Sequence, residues 1–478
     1  INIYYELNYP PREQQIGGMK FLKESIRSGK KYMLLNLATG VGKSYLTVMF
    51  QNWYLNYINQ NAKFDILTNS KVLQKQYVDE YPYIRNLEGK SNYTCSKFST
   101  DCEEGMELCK IKKIECQFCP YLNALNNYIG SRVSLTNFHM FNLSKIHSTA
   151  ISTRESNVLI IDEAHDFESV FSDYLTINIT TNGLNKCGFD HNELIKYHNL
   201  LAETKELDDF IIDVKDILLA DLQKKYEYYK NIIQKSVIIN TPAIDNDEIE
   251  TRYTKDTLLQ YAKFLKECGS KINTIVIFLK EYELNKDNWI MEIEHKIDKR
   301  SGNEIRSLSI QPVWVHEYIP KYILDKYDHV IFMSATILDK KLFSNINGLE
   351  EKLTSYYEVP SPFPIKNRKI FYIKCGKMTY NEKEESYKRQ LDIIKKIFDK
   401  YSDQKGIVHT FNYEIAAWVE RDLMKTNHIK RIVTHETANR SNRLDEHITS
   451  KEPTILLSPS MISGIDLKDE LSRFQIIM

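Results

Sequence analysis

The 478-residue chain contains no uninterrupted apolar run near the ~20 residues that a membrane span requires, and no signal peptide opens it. These absences argue against a membrane or secreted protein. They lead us to expect a cytoplasmic location in a bacterial or virus-infected cell, or a nuclear one in a eukaryote. Net charge is missing too, because 64 basic residues balance 64 acidic ones. Any binding of nucleic acid must then come from local patches. Five of the eight cysteines fall between Cys95 and Cys119. An odd cluster without a secretory signal excludes a disulfide framework. The cluster contains no histidine, and Cys116–Cys119 is its sole C-x-x-C. The mixed Cys/His finger and the zinc ribbon are therefore excluded. A Cys₄ iron–sulfur cluster and a Cys₄ zinc site remain, with five candidates for four positions.

With 42% hydrophobic residues and a mean hydropathy of −0.43, the chain describes a well-cored protein of two to four domains. Near its start, Ala38-Thr39-Gly40-Val41-Gly42-Lys43-Ser44 lies between an apolar strand, 32–37, and a helical pattern that begins at Lys43. A strand, a glycine turn and a helix N-terminus make a phosphate cradle. Backbone N–H groups point inward, Lys43 reaches the terminal phosphates of ATP, and the Ser44 hydroxyl ligates Mg²⁺. Arg12 and Gln15, roughly 25 residues earlier, are candidates to read the adenine edge, since an amide offers a paired donor and acceptor.

Residues 64–68 form the next expected strand, and the polar stretch 69–76 after it is placed for phosphate contacts. A buried strand at 157–161 delivers Asp162-Glu163-Ala164-His165. Asp162 would hold Mg²⁺, and Glu163 would orient and deprotonate the attacking water. Lys43, Asp162, Glu163 and His165 are thus the candidate catalytic residues. Long charged helices, read as an insertion, follow to about residue 287. Alternation at 288–297 and 306–315, around Ser301-Gly302-Asn303, predicts a pair of strands. Another apolar strand, 330–333, ends in Ser334-Ala335-Thr336, where Thr336 fits a hydroxyl sensor of the nucleotide. A second α/β unit has expected strands at 369–373, 406–411, 431–434, 454–458 and 474–478. Within it Gly464 and Asp466 are candidates to face the γ-phosphate. Around the cysteines, Lys90, Lys97, Lys110, Lys112 and Lys113 interleave with Tyr93, Phe98 and Phe118, the best local site for single-stranded nucleic acid.

In order, A-T-G-V-G-K-S, N-Y-T-C…C-P-Y, T-N-F-H before V-L-I-I-D-E-A-H, F-M-S-A-T-I, S-P-F at 361–363 and S-P-S-M-x-x-G-I-D-L resemble the XPD/DinG family of iron–sulfur superfamily 2 DNA helicases. The phosphate loop, with Leu37 where the common motif has its first glycine, is written as that superfamily writes it. The resemblance implies an α/β fold of two RecA-like parallel-sheet domains, with a Cys-rich metal module and a helical Arch-like insertion in the first. The expected layout is 1–87, 126–166 and 288–345 for the first RecA-like domain, 88–125 for the metal module, 167–287 for the insertion and 346–478 for the second domain. It further implies a monomeric motor that uses ATP and Mg²⁺ to move 5′ to 3′ on single-stranded DNA and to open forked DNA. The matching ligands of a 4Fe–4S cluster are Cys95, Cys109, Cys116 and Cys119, with Cys102 as the alternative and zinc as the runner-up metal. Thr39, Gly40, Gly42, Lys43, Ser44, Asp162, Thr336, Gly464 and Asp466 would serve the nucleotide. The family's last motif, Q-x-x-G-R-x-x-R, is not in the sequence, and a strand ending at Met478 leads to the expectation that the chain continues. An ATP-binding clamp or translocase without efficient unwinding is the rival reading.

Overall fold

The computed structural model describes residues 9–478 except 117, 148, 201–205, 240–251, 298–303, 338, 360, 363, 368, 380, 437–438, 462–466 and 468. The chain forms two compact units, Ile1–Pro362 and Phe363–Met478. Among the described residues no helix is long and apolar enough to cross a membrane.

The first unit is built on strands β1 (Tyr32–Leu37), β2 (Phe64–Thr68), β3 (Arg85–Asn86), β4 (Val133–Asn137) and β5 (Val158–Asp162). The chain then forms β6 (Ile177–Thr180), β7 (Val237–Ile239), β8 (Arg252–Thr254), β9 (Trp289–Ile297) and β10 (Glu304–Pro312) before it returns to the main sheet as β11 (His329–Ser334) and β12 (Thr354–Val359). The main sheet has the order β12-β1-β11-β5-β2-β4-β3, and every pairing is parallel. A parallel sheet covered on both faces needs apolar residues on both, which is why these strands read as continuous runs. Leu34, Leu159, Ile161, Val330 and Phe332 pack on one face with Phe138 and Phe167. Met33, Leu35, Ile160, Ile331 and Met333 pack on the other, against Leu22 and Leu46 of helices α1 (Glu13–Arg27) and α2 (Lys43–Tyr57). Register then brings three chemical motifs to one edge, because Asn36 lies opposite Ser334 and Met333 opposite Asp162.

One expectation changes here and another is extended. Residues 346–362 belong to the first unit, because β12 pairs in parallel with β1 from Tyr32↔Thr354 to Leu37↔Val359. The boundary therefore falls at 362 and not at 345. A strand's owner is decided by its hydrogen-bond partner, which local patterning does not name. The expected strand pair at 288–315 is present as antiparallel β9 and β10, with β6 added on the far side of β10. The Ser301-Gly302-Asn303 turn lies outside the described residues.

The helical insertion and the cysteine segment share one core. Tyr229 and Ile233 of the helix Ala220–Lys235, and Leu258, Ala262 and Leu265 of the helix Lys255–Leu284, pack with Cys95, Cys102, Leu108 and Cys119. Lys263–Glu104 and Lys266–Glu103 ion pairs, both 2.8 Å, border that contact.

The second unit has a parallel sheet of β13 (Gly406–His409), β14 (Ile432–Thr434), β15 (Ile455–Ser458) and β16 (Phe474–Ile477), in the order β14-β15-β13-β16. The expected strand at 369–373 is not among them. Its N–H and C=O groups have no described strand alongside, and Ile370, Phe371 and Tyr372 are 94%, 79% and 88% exposed.

Candidate nucleotide site and cysteine module

Strand β1 ends at Leu37 and the loop turns through Gly40 (φ 78°) and Gly42 (φ 87°), the second of which precedes α2. A Cβ at either would be strained at such φ, and at Gly42 it would also sit 2.5 Å from Gln15 Nε2. Leu37 is fully buried in the core below the loop. That position needs a core side chain and no backbone freedom, which accounts for the missing first glycine. Thr39 and Gly40 are exposed at the tip, and the first N–H groups of α2 have no partner within their own helix.

Arg12 and Gln15 lie against this loop in a different role from the one expected. Gln15 is buried, and its Nε2 donates to Val41 O (2.9 Å) and Gly42 O (3.3 Å) while its Oε1 accepts from Arg12 N (2.8 Å). Arg12 Nη1 donates to Gly40 O at 2.7 Å. The amide is committed to the backbone and is not displayed to a base. Gln15→Ala removes those bonds at a cost of about 1–3 kcal/mol. Titration with fluorescent nucleotides is expected to show affinity reduced roughly 5- to 150-fold, equally for ATP and GTP. A loss confined to ATP would return Gln15 to adenine recognition.

At the head of α2, Lys43 Nζ pairs with Glu163 Oε1 and lies 3.5 Å from Asp162 Oδ1. Burial alone would lower the lysine pKa, but the two carboxylates outweigh it and hold Lys43 charged. Burial raises the Asp162 pKa, against the pull of Lys43 and with a further push from Glu163. Tyr77, on helix α3 (Lys71–Glu80), donates to Asp162 Oδ2 at 3.0 Å, and Glu163 N donates to Asp162 Oδ1 at 3.0 Å. Glu163 takes a left-handed backbone (φ 56°) that turns its carboxylate back over Lys43. His165 Nδ1 lies 2.9 Å from Ser334 Oγ, and Ser334 Oγ lies 3.1 Å from Thr336 Oγ1 and accepts from Thr336 N. Ser44 Oγ donates to Glu80 Oε2 at 3.4 Å, and Glu80 also accepts from Tyr81 and Tyr9.

The structure thus gathers Arg12, Gln15, Lys43, Ser44, Asp162, Glu163, His165 and Thr336 at one sheet edge. Gly464 and Asp466 lie outside the described residues. Tyr77 and Glu80 escaped the sequence reading. They stand six and nine residues after Lys71, where α3 begins, and nothing local marks a tyrosine that will reach the aspartate of another strand. Of the polar stretch 69–76, Ser70 caps α3 by accepting from Leu73 N, Gln74 donates to Asn86, and Lys71 reaches Asn92 at the exposed edge.

The five clustered thiols come together as well. Cys95, Cys102 and Cys119 are buried, and Cys109 and Cys116 are half-buried. Cys102 and Cys109 stand seven residues apart on helix α4 (Cys102–Ile111), hence on one face. Between them Gly105 leaves that face bare: a Cβ there would meet Cys95 Sγ at 2.5 Å. Cys109 is pushed up to about 11 by burial and by the nearby Cys95, Cys116 and Cys119; Cys102 also rises to about 11, by burial and by Cys119 and Cys95. Among the described residues no group of three or more His, Cys, Asp or Glu side chains is placed to hold a metal ion. Of the surrounding residues, Lys90 lies 5.7 Å from the Tyr121 ring, Phe118 is 82% exposed, and Phe98 is buried in the module's core.

A glycine loop between strand and helix, with an Asp-Glu strand end beside it on a parallel sheet, defines a nucleotide-binding α/β fold. A model of the family described as the res subunit of type III restriction enzymes matches residues 8–189. A solved XPD helicase aligns over 98% of this chain and 85% of its own, with a TM-score of 0.52 and 14% identity. A truncated XPD covers 73% of this chain and 100% of its own, with a TM-score of 0.37 and 14% identity. No curated protein sequence matches the chain. The chain has the fold of an XPD helicase.

Proposed function

We propose that this protein is an ATP-dependent DNA helicase that moves 5′ to 3′ along single-stranded DNA. The observation that carries this is the single sheet edge, where the phosphate loop, Asp162, Glu163 and Ser334 adjoin Asn137 at the end of β4 and Lys71 at the start of α3, which reaches Asn92. Lys43 binds the terminal phosphates, Ser44 and Asp162 hold Mg²⁺, and Glu163 accepts the proton of the attacking water. His165, Ser334 and Thr336 link that chemistry to the neighbouring strand. Turnover measured with and without single-stranded DNA, and opening of duplexes with 5′ or 3′ tails, test the reading. We expect stimulation and opening of the 5′-tailed duplex. Absence of stimulation overturns the motor; stimulation without opening of either duplex leaves a translocase.

Residues 88–125 are assigned as a 4Fe–4S module held by Cys95, Cys109, Cys116 and Cys119, and 167–287 as an Arch-like insertion. Support comes from the close approach of Cys95 to α4 at Gly105 and from the proximity of Cys109 to Cys95, Cys116 and Cys119. When bound, such a cluster cross-links the segment through thiolates, which a coordinated metal keeps deprotonated. Anaerobically purified protein is expected to absorb broadly in the visible and to contain iron and sulfide, and Cys109→Ser is expected to lose both. A colourless protein with one zinc would refute the cluster.

A further inference from the structure

Helix α3 starts just past the end of β2 and runs beside the nucleotide site, and the β2–α3 stretch touches that site at three points. Just before it, Asn69 Nδ2 donates to Asp166 Oδ2 at 2.9 Å, and Asp166 Oδ1 lies 3.4 Å from His165 Nε2. Further on, Tyr77 holds Asp162, and Glu80 closes the helix against Ser44. The Tyr77–Asp162 contact is buried, and Tyr77 itself is fully buried. Asn69 differs from them. Its Oδ1 is buried with no hydrogen-bond partner among the described residues, so the bond to Asp166 is the one side-chain hydrogen bond described for it. The next two residues, Ser70 and Lys71, stand at the edge assigned to nucleic acid, where Ser70 caps α3 and Lys71 reaches Asn92.

We propose that Asn69 is a positioning residue that reports nucleic acid at the start of α3 to the nucleotide site, through Asp166 and His165. This inference rests on the motor reading above. Coupling of this kind is reciprocal, so equilibrium binding reads it without turnover. The full chain is titrated with a fluorescent oligo-dT in the presence and absence of a non-hydrolysable ATP analogue with Mg²⁺. The ratio of the two Kd values is the coupling factor, expected to be at least about 5 in the wild type. Asn69→Ala is expected to bring it below about 2 while the analogue's own affinity, measured without DNA, stays within about twofold. Asn69→Asp sets two carboxylates face to face and is expected to lose coupling as well. The double variant Asn69→Asp/Asp166→Asn restores a donor–acceptor pair and is expected to recover it. A wild-type coupling factor in Asn69→Ala overturns the inference alone. So does a loss of analogue affinity without DNA, or failure of the double variant to recover. A wild-type chain that does not bind oligo-dT overturns the motor reading and this inference with it.

Discussion

Glu163→Gln is expected to keep Mg·ATP bound and to slow turnover about 10²- to 10⁴-fold, the usual contribution of a positioned general base. The carboxamide keeps the shape and the left-handed backbone but cannot accept the water's proton. Nucleotide binding survives because Lys43, Ser44 and Asp162 are untouched and the loop is held by Gln15 and Arg12. At 1.36 kcal/mol per factor of ten, the loss corresponds to roughly 3–5 kcal/mol of barrier. Single-turnover hydrolysis beside a fluorescent-nucleotide titration separates the two effects. Turnover within a few-fold of wild type would remove Glu163 from the role of base.

The second large effect lies at the opposite end of the strands. Arg154 is buried with Asp65, its Nε 2.7 Å from Asp65 Oδ1. The guanidinium also donates to the carbonyls of Tyr128 (3.2 Å), Ile129 (2.8 Å), Ser131 (2.7 Å), Phe64 (3.2 Å) and Arg132 (3.3 Å). Tyr327 OH and Ser156 Oγ complete the shell of Asp65 at 2.7 and 3.1 Å. One arginine thus ties together β2, the turn before β4 and the lead into β5. Arg154→Met leaves a buried carboxylate without its cation and is expected to cost about 3–5 kcal/mol. Asp65→Leu/Arg154→Met removes both charges and is expected to recover part of that loss, since a buried pair adds little over apolar packing. Denaturant midpoints of the 1–362 unit measure both. A single variant within about 1 kcal/mol of wild type would show that the pair is not the clamp described.

The residues gathered at the candidate nucleotide site were legible because they are written locally. Gly40, Gly42, Lys43 and Ser44 are consecutive or nearly so, Asp162 and Glu163 end one apolar run, and Ser334 and Thr336 end another. Spacing within a single strand–turn–helix decides what such residues can reach. Gln15 shows the limit of that reasoning. Its position before the loop pointed to the nucleotide, but whether an amide faces a base or a carbonyl depends on how α1 packs, and it faces the carbonyls. Residues 369–373 show the same limit for strands, since four apolar residues in a row look alike whether or not a neighbour is present to bond them.

The sequence by itself determined that this protein builds a phosphate loop, an acidic strand end and a five-cysteine segment, because each needs only a few residues at short spacing. Tertiary structure alone decided the rest. It gave β12 to the first sheet, joined the cysteine segment and the helical insertion in one core, and brought Asn69, Tyr77 and Glu80 of β2–α3 to Asp166, Asp162 and Ser44. The physical reason is common to all three. Hydrogen-bond partners and packed faces are chosen between segments tens to hundreds of residues apart, and no local pattern carries the address of its partner.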